Sequence, residues 1–320
     1  MNTFNRFKKF MASIGPAFFL VGYTIGTGSV VSMASAGSRY GFSLLWALAL
    51  SCIFSFILLE AFGKYSVVTQ EGALYAYKTH FKSIGPPLAI ITLIGLVLVE
   101  IMALIGIMGV ISDLIHEWTF ILFDGKGWNP LWIAVGIIIL IYILLFIGEY
   151  SFIEKIMTIF VSIMGLSFIL TMFMVLPDDP TAIAQGLIPT LLKNAPMILA
   201  AAVGTTLTAP TFVVRSVLMK EKSWTTDQLK EQKRDALTAS LLMFVISGSI
   251  MACAAGTLYV MNKPVEEVIT MVTLLEPLLG RFAISVFIMG ILGAGLSSIL
   301  PIVMLAPLLT RDHCSEFSHS

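Results

Sequence analysis

Gly22-Tyr23-Thr24-Ile25-Gly26-Thr27-Gly28-Ser29 and Gly204-Thr205-Thr206-Leu207-Thr208-Ala209-Pro210-Thr211 decide how this chain is read. Each lies inside an apolar run long enough to cross a bilayer, and each sets glycine or proline beside several hydroxyls. Pro210 has no amide hydrogen and its ring clashes with the preceding turn, so a helix is expected to kink or open there. Gly26 and Gly28 permit a similar opening. Small residues also serve close helix packing, and one such cluster alone would read that way. Two in corresponding positions point to paired discontinuous helices around a site near the bilayer midplane.

The surrounding chain supports this. Of 320 residues, 58% are apolar and only 12% charged, with a mean hydropathy of +0.95. Soluble domains carry about 25% charged residues, so an ordinary water-facing surface is not available. A bilayer core about 30 Å thick takes about 20 helical residues. Apolar runs of that order fall at 12–38, 42–63, 84–112, 131–147, 156–176, 191–218, 236–261 and 280–309. The fold class is therefore an all-α polytopic membrane protein of about eight transmembrane helices. A soluble enzyme, a nucleic-acid binder and a secreted disulfide scaffold are excluded. The formal net charge is zero, so no overall field points to nucleic acid. Cys52, Cys253 and Cys314 form no CxxC pair and read as plain thiols. The first run continues far past the length of a signal-peptide core and is expected to stay in the protein.

Orientation follows from the 19 basic residues. Arg6, Lys8, Lys9, Lys64, Lys78, Lys82, Lys155, Arg215, Lys220, Lys222, Lys230, Lys233, Arg234 and Arg311 fall on one side of the spans. Only Arg39, Lys126, Lys193, Lys263 and Arg281 fall on the other. The positive-inside bias places both termini in the cytoplasm, with the protein integral to a bacterial inner membrane. Segment 64–83 is too polar to span and is expected to form a short amphipathic helix at the interface. Segment 219–235 reads as a solvated charged face, helical or mobile.

Opening a helix frees carbonyls at one half-helix end and amides at the other. Carbonyls and hydroxyls suit cations, and half-helix N-termini suit anions. The candidate binding residues are Tyr23, Gly26, Thr27, Gly28 and Ser29 in span one, with Thr205, Thr206, Ala209, Pro210 and Thr211 in span six. Glu100 stands alone as a charge in the apolar run of span three, and a carboxylate there is by default a pathway or proton-relay residue. Glu60 and Glu149 lie near span ends within reach of water; Arg215 is expected to do the same or to pair with one of them. His80, His116, His313 and His319 fall outside the spans and are expected to be exposed. No constellation of His, Asp, Glu and Cys occurs within the spans, so no enzyme and no cofactor are expected.

Ile14-Gly15-Pro16-Ala17, then Gly22-Tyr23, then Ala36-Gly37-Ser38-Arg39-Tyr40-Gly41 with Leu44-Leu45-Trp46, resemble the opening of the natural resistance-associated macrophage protein (NRAMP) family of metal transporters. Val67-Val68-Thr69, Pro210 and Gly293-Ala294-Gly295-Leu296-Ser297-Ser298 are similar to later parts of that family. The resemblance covers residues 11–310. It implies a LeuT-like fold: two inverted five-helix repeats with helices one and six discontinuous. It further implies proton-coupled import of manganese or iron by alternating access, with metal and proton only as transported species and Glu100 as the proton-coupling residue. The family's metal-ligand positions fall on Gly26, Ser29 and Ala209, which lack ligand side chains. Its aspartate near the span-three glutamate is Val97 here.

The resemblance divides the chain into a cytoplasmic N-terminus at 1–11, a first five-helix repeat at 12–176, a partial second repeat of helices six to eight at 177–309, and a polar tail at 310–320. Family members carry eleven or more spans, so this second repeat reads as incomplete. Helix eight is then expected to leave apolar faces for an oligomer or partner, in addition to the lipid bilayer. Two other readings stay open. Glycine-rich breaks of this kind also resemble those of carriers for small organic solutes such as amino acids, whose carboxylate sits on exposed amides. A non-transporting or truncated membrane protein is the third.

Overall fold

The computed structural model describes residues 15–123, 125–147, 150–175, 181–190, 195–264 and 268–314. Ile14, Arg6, Lys8, Lys9, Glu149, Lys193 and positions 315–320, His319 among them, lie outside these, as does the side chain of Arg281.

Among the described residues the chain is helical, in the order α1 Gly15–Thr24, α2 Thr27–Tyr40, α3 Leu45–Thr69, α4 Ala73–His80, α5 Gly85–Leu122, α6 Pro130–Ile147, α7 Tyr150–Val175, α8 Thr181–Gly186, α9 Pro196–Thr206, α10 Ala209–Glu221, α11 Leu229–Ala254 and α12 Val268–His313. Six helical stretches are long and apolar enough to cross a membrane, and the bent pair α1 and α2 makes a seventh. Helix α6 is shorter, and its sequence PLWIAVGIIILIYILLFI is apolar on every face, as lipid contact requires. These segments fall on the eight expected runs.

The helix ends differ from the expected spans. Helix α5 reaches Leu122 rather than 112, α7 begins at Tyr150 rather than 156, α10 ends at Glu221 rather than 218, and α11 begins at Leu229 rather than 236. Polar residues extend a helix when neighbouring helices satisfy them. At the end of α5, the Thr119 hydroxyl donates to the Ile115 carbonyl at 2.9 Å and accepts the Trp128 amide at 3.0 Å. The expected short helix within 64–83 is α4. Cys52 and Cys253 are buried free thiols, Cys314 is exposed, and His116 is half-buried with Nδ1 at 2.5 Å from the Trp128 carbonyl rather than exposed.

The core sits between the late helices. Within an apolar 18-residue stretch of each span, 78% of residues are buried in Ile284–Asp312 of α12 and 67% in Thr226–Tyr259, against 17% in Gly85–Leu122. On helix eight, Phe282 and Met289 are exposed apolar side chains within an otherwise largely buried span. Helix α12 threads between α7, α5 and α1, while α5 leaves Ile91, Met102 and Ile105 exposed and α6 leaves Trp132 and Phe146 exposed.

Glycine sets how closely two of these helices meet. Gly37 on α2 lies so near the Met251 backbone carbonyl of α11 that a Cβ there would overlap it. Backbone cannot rotate away as a side chain can, so Gly37→Val is expected to cost about 1–3 kcal/mol or more. A thermal melt in detergent should show a lower midpoint; an unchanged one would refute this contact.

Candidate functional site

The two glycine-rich stretches are where the helices break. In span one, Thr24 ends α1 and α2 begins at Thr27, with the axes bent by 66°. In span six, α9 ends at Thr206 and α10 begins at Ala209, with the halves close enough to straight to pass as one 26-residue apolar span. The opening in span six comes before Pro210, at Leu207 and Thr208, with Thr208 extended at φ −88° and ψ 129°. Pro210 sits instead in the first turn of α10, where its missing amide costs nothing. Gly26 is extended at φ −93°, a conformation open to any residue. It is glycine for space: a Cβ would lie 2.8 Å from the Ser298 hydroxyl.

Between the breaks lies a cavity of about 540 Å³. Of the expected binding residues, Tyr23, Gly26, Gly28, Ser29, Thr205 and Pro210 line it, together with Glu100. Thr27, Thr206, Ala209 and Thr211 do not. Thr27 packs toward Gly295. Thr206 turns to α3, with its hydroxyl 2.6 Å from that of Ser51. Thr211 is fully buried, with hydroxyl contacts to Thr208 at 2.5 Å and Thr24 at 3.3 Å. Ala209 is exposed but stands off the cavity wall. Thr24, Ser32, Thr208 and Ser298 add to the polar lining. Their signal was hydroxyls inside apolar runs, but hydroxyls inside helices usually bond the preceding turn, as Ser298 does to the Ala294 carbonyl, and so do not announce a site.

The broken ends are largely satisfied from within. The Ser298 hydroxyl donates to the Gly22 carbonyl at 2.7 Å, Ser29 to the Thr24 carbonyl at 2.8 Å, and Ser55 to the Thr206 carbonyl at 2.8 Å. Tyr23 donates its hydroxyl to the Glu100 carboxylate, tying α5 to the last turn of α1. Glu100 is 8% exposed, and no other charged side chain lines the cavity among the described residues. No group of three or more His, Cys, Asp and Glu is placed to hold a metal among them either.

On one side of the breaks the helices are tied together by buried polar contacts. Arg215 of α10 and Asp235 of α11 form an ion pair with both side chains wholly buried. The other Asp235 oxygen accepts the Ala17 amide of α1 at 2.8 Å, and Arg215 donates to the Gln232 carbonyl at 3.1 Å. Gln232 reaches the Leu59 and Glu60 carbonyls of α3 at 3.3 and 3.2 Å. Lys222 pairs with Glu154 of α7 at 2.6 Å, and Lys220 with Asp312 of α12 at 3.0 Å. Arg215 thus pairs with Asp235 and not with Glu60, whose partner is Lys233 at 3.6 Å. The signal for Arg215 was present in the sequence as a charge inside an apolar run; Asp235, Glu154 and Asp312 stood at run ends and gave none. The cavity extends away from this basic end, toward Ser32, Ala103, Ile107 and Ala201.

Comparison with known proteins matches residues 17–318 to the profile described as natural resistance-associated macrophage protein-like. The divalent metal cation transporter MntH of Verminephrobacter eiseniae is 22% identical over 305 residues, covering 89% of this chain and 64% of that protein. MntH of Listeria innocua is 28% identical over 313 residues, covering 92% of this chain and 66% of that protein. The chain therefore spans a little under two thirds of the length of these relatives. Among solved structures, a mutant of the Eremococcus coleocola manganese transporter superposes with a TM-score of 0.72 at 14% identity, over 98% of this chain and 67% of that one. A nucleobase-cation-symport-1 family transporter, MHP1, superposes at 0.67 with 16% identity, over 95% of this chain and 67% of that one. Both share the fold.

Proposed function

The chain belongs to the natural resistance-associated macrophage protein-like family, and we propose that it carries divalent metal ions across the membrane by alternating access, with Glu100 coupling the movement to protons. It has the LeuT-like fold of that family and is an integral membrane protein. The observation that carries the reading is the cavity between two broken helices, lined among the described residues by one carboxylate, with the buried Arg215–Asp235 pair tying the helices on its basic side. With the basic end cytoplasmic by the positive-inside bias, the cavity faces outward, as an importer awaiting its ion would be.

Tyr23, Gly26, Gly28, Ser29, Thr205 and Pro210 form the substrate face, while Thr27, Thr206, Ala209 and Thr211 shape the breaks behind it. Residues 12–176 act as the first repeat and 177–309 as a partial second repeat, in a bacterial inner membrane. The protein works as a carrier rather than an enzyme. Relatives named for divalent metal cations support this over the organic-solute and non-transporting readings.

The test is manganese uptake into proteoliposomes under an imposed inward proton gradient. Uptake is expected to follow the gradient and to fall at least tenfold in Glu100→Gln, since an amide cannot release a proton to the cavity. Gradient-driven uptake that survives Glu100→Gln would remove Glu100 from the coupling; absence of uptake by folded protein would sink the carrier reading.

A further inference from the structure

Building on that carrier reading, we propose that the cavity takes hard divalent cations that keep most of their water, of the magnesium type, and refuses soft metal ions. Oxygen is the only donor element its side chains offer. Hydroxyls of Tyr23, Thr24, Ser29, Thr205 and Thr208 and the Glu100 carboxylate line it, and no Met, Cys or His does among the described residues. Thioether, thiolate and imidazole give sites their preference for later transition metals, whereas carboxylate, hydroxyl and water suit magnesium, calcium and manganese.

The breaks decide how much water the ion keeps. A dehydrated ion needs backbone carbonyls to replace its shell, and at the breaks those of Gly22, Thr24 and Thr206 already spend one of their two lone pairs on the hydroxyls of Ser298, Ser29 and Ser55. A single carboxylate is too little for calcium, which takes six to eight direct oxygens. Magnesium dehydrates reluctantly and is commonly held through one or two carboxylates with its waters in place. Six waters at about 30 Å³ each occupy about 180 Å³. The cavity, at about 540 Å³, has room for such an ion with its shell intact.

Gly28 supplies the discriminating variant. It faces the cavity, and a Cβ built on it meets nothing within 4 Å. Gly28→Cys therefore adds one sulfur ligand without disturbing the fold. The experiment measures uptake of Mg²⁺, Mn²⁺ and Cd²⁺ separately into proteoliposomes, each also with the others in excess. The parent protein is expected to carry Mg²⁺, with Mn²⁺ competing and Cd²⁺ neither carried nor competing. Gly28→Cys is expected to raise Cd²⁺ uptake at least tenfold. Parent protein that carries Cd²⁺ or Mn²⁺ while excess Mg²⁺ fails to compete would overturn the hard-cation assignment and leave the carrier reading standing. Mg²⁺ uptake with no Cd²⁺ gain in Gly28→Cys would show that the ion does not meet this wall, which also overturns it. If folded protein carries none of the three, the carrier reading falls and this assignment with it.

Discussion

Asp235→Ala is expected to destabilise the protein by about 3–5 kcal/mol, because it strands a buried guanidinium. Arg215 and Asp235 have no exposed side-chain surface, and Asp235 is the partner that neutralises Arg215. The same substitution frees the Ala17 amide at the start of α1, which Asp235 holds at 2.8 Å. A drop in the thermal midpoint on the order of 10 °C would follow. Stability loss alone would not separate a structural pair from a gate, so a second readout is needed. Cysteines placed on the cavity wall should become reactive from the basic side once α1 is released, and remain protected there in the parent protein. The double variant Arg215→Met with Asp235→Leu should recover most of the stability, since well-packed apolar pairs of similar volume replace buried ion pairs at little cost. It should not recover the seal, because an aliphatic side chain offers no acceptor to the Ala17 amide. A stable double variant that still excludes the probe would show that packing, not this network, closes the basic end.

The positions of the spans were legible in the sequence, because lipid imposes an apolar run wherever a helix is not shielded, and α6 shows this on every face. The helix ends were less so. Lys220, Glu221 and Lys222 read as part of a solvated charged face, helical or mobile; they belong to α10 and its cap, and Asp312, Arg311 and Glu154 meet them from α12 and α7. Such partners lie 68 to 92 residues away, and no local pattern announces them. The breaks were legible as glycine and proline among hydroxyls, but their mechanism was not. Pro210 sits just after the opening and cannot donate an amide to the Thr206 carbonyl across it, and Gly26 makes room for Ser298 rather than supplying an unusual φ. Glu100 was visible as a lone charge; its hydroxyl partner Tyr23, 77 residues earlier, was visible only as one of several polar residues near a break.

Three glycines around the cavity should separate transport from folding, and Gly28→Trp should have the largest effect on transport. A Cβ on Gly28 or on Gly204 meets nothing within 4 Å, and both residues line the cavity from opposite broken helices. An indole at either position has nowhere to go but into the space through which an ion would pass. The tryptophan indole is a large rigid ring, so it would take up much of the space between the two broken helices. Uptake is therefore expected to fall at least a hundredfold in Gly28→Trp and in Gly204→Trp, with thermal midpoints within a few degrees of the parent. Gly26→Ala should do the reverse. Its methyl would sit 2.8 Å from the Ser298 hydroxyl, which caps the Gly22 carbonyl. Moving that hydroxyl leaves a buried carbonyl unpaired, at a cost of about 1–3 kcal/mol. Stability should fall while the cavity stays open. Uptake that persists in both tryptophan variants would place the ion path elsewhere in the bundle. Loss of folding in them would mean that the open faces of Gly28 and Gly204 close during the transport cycle, and that the cavity is one state of a wall that must collapse.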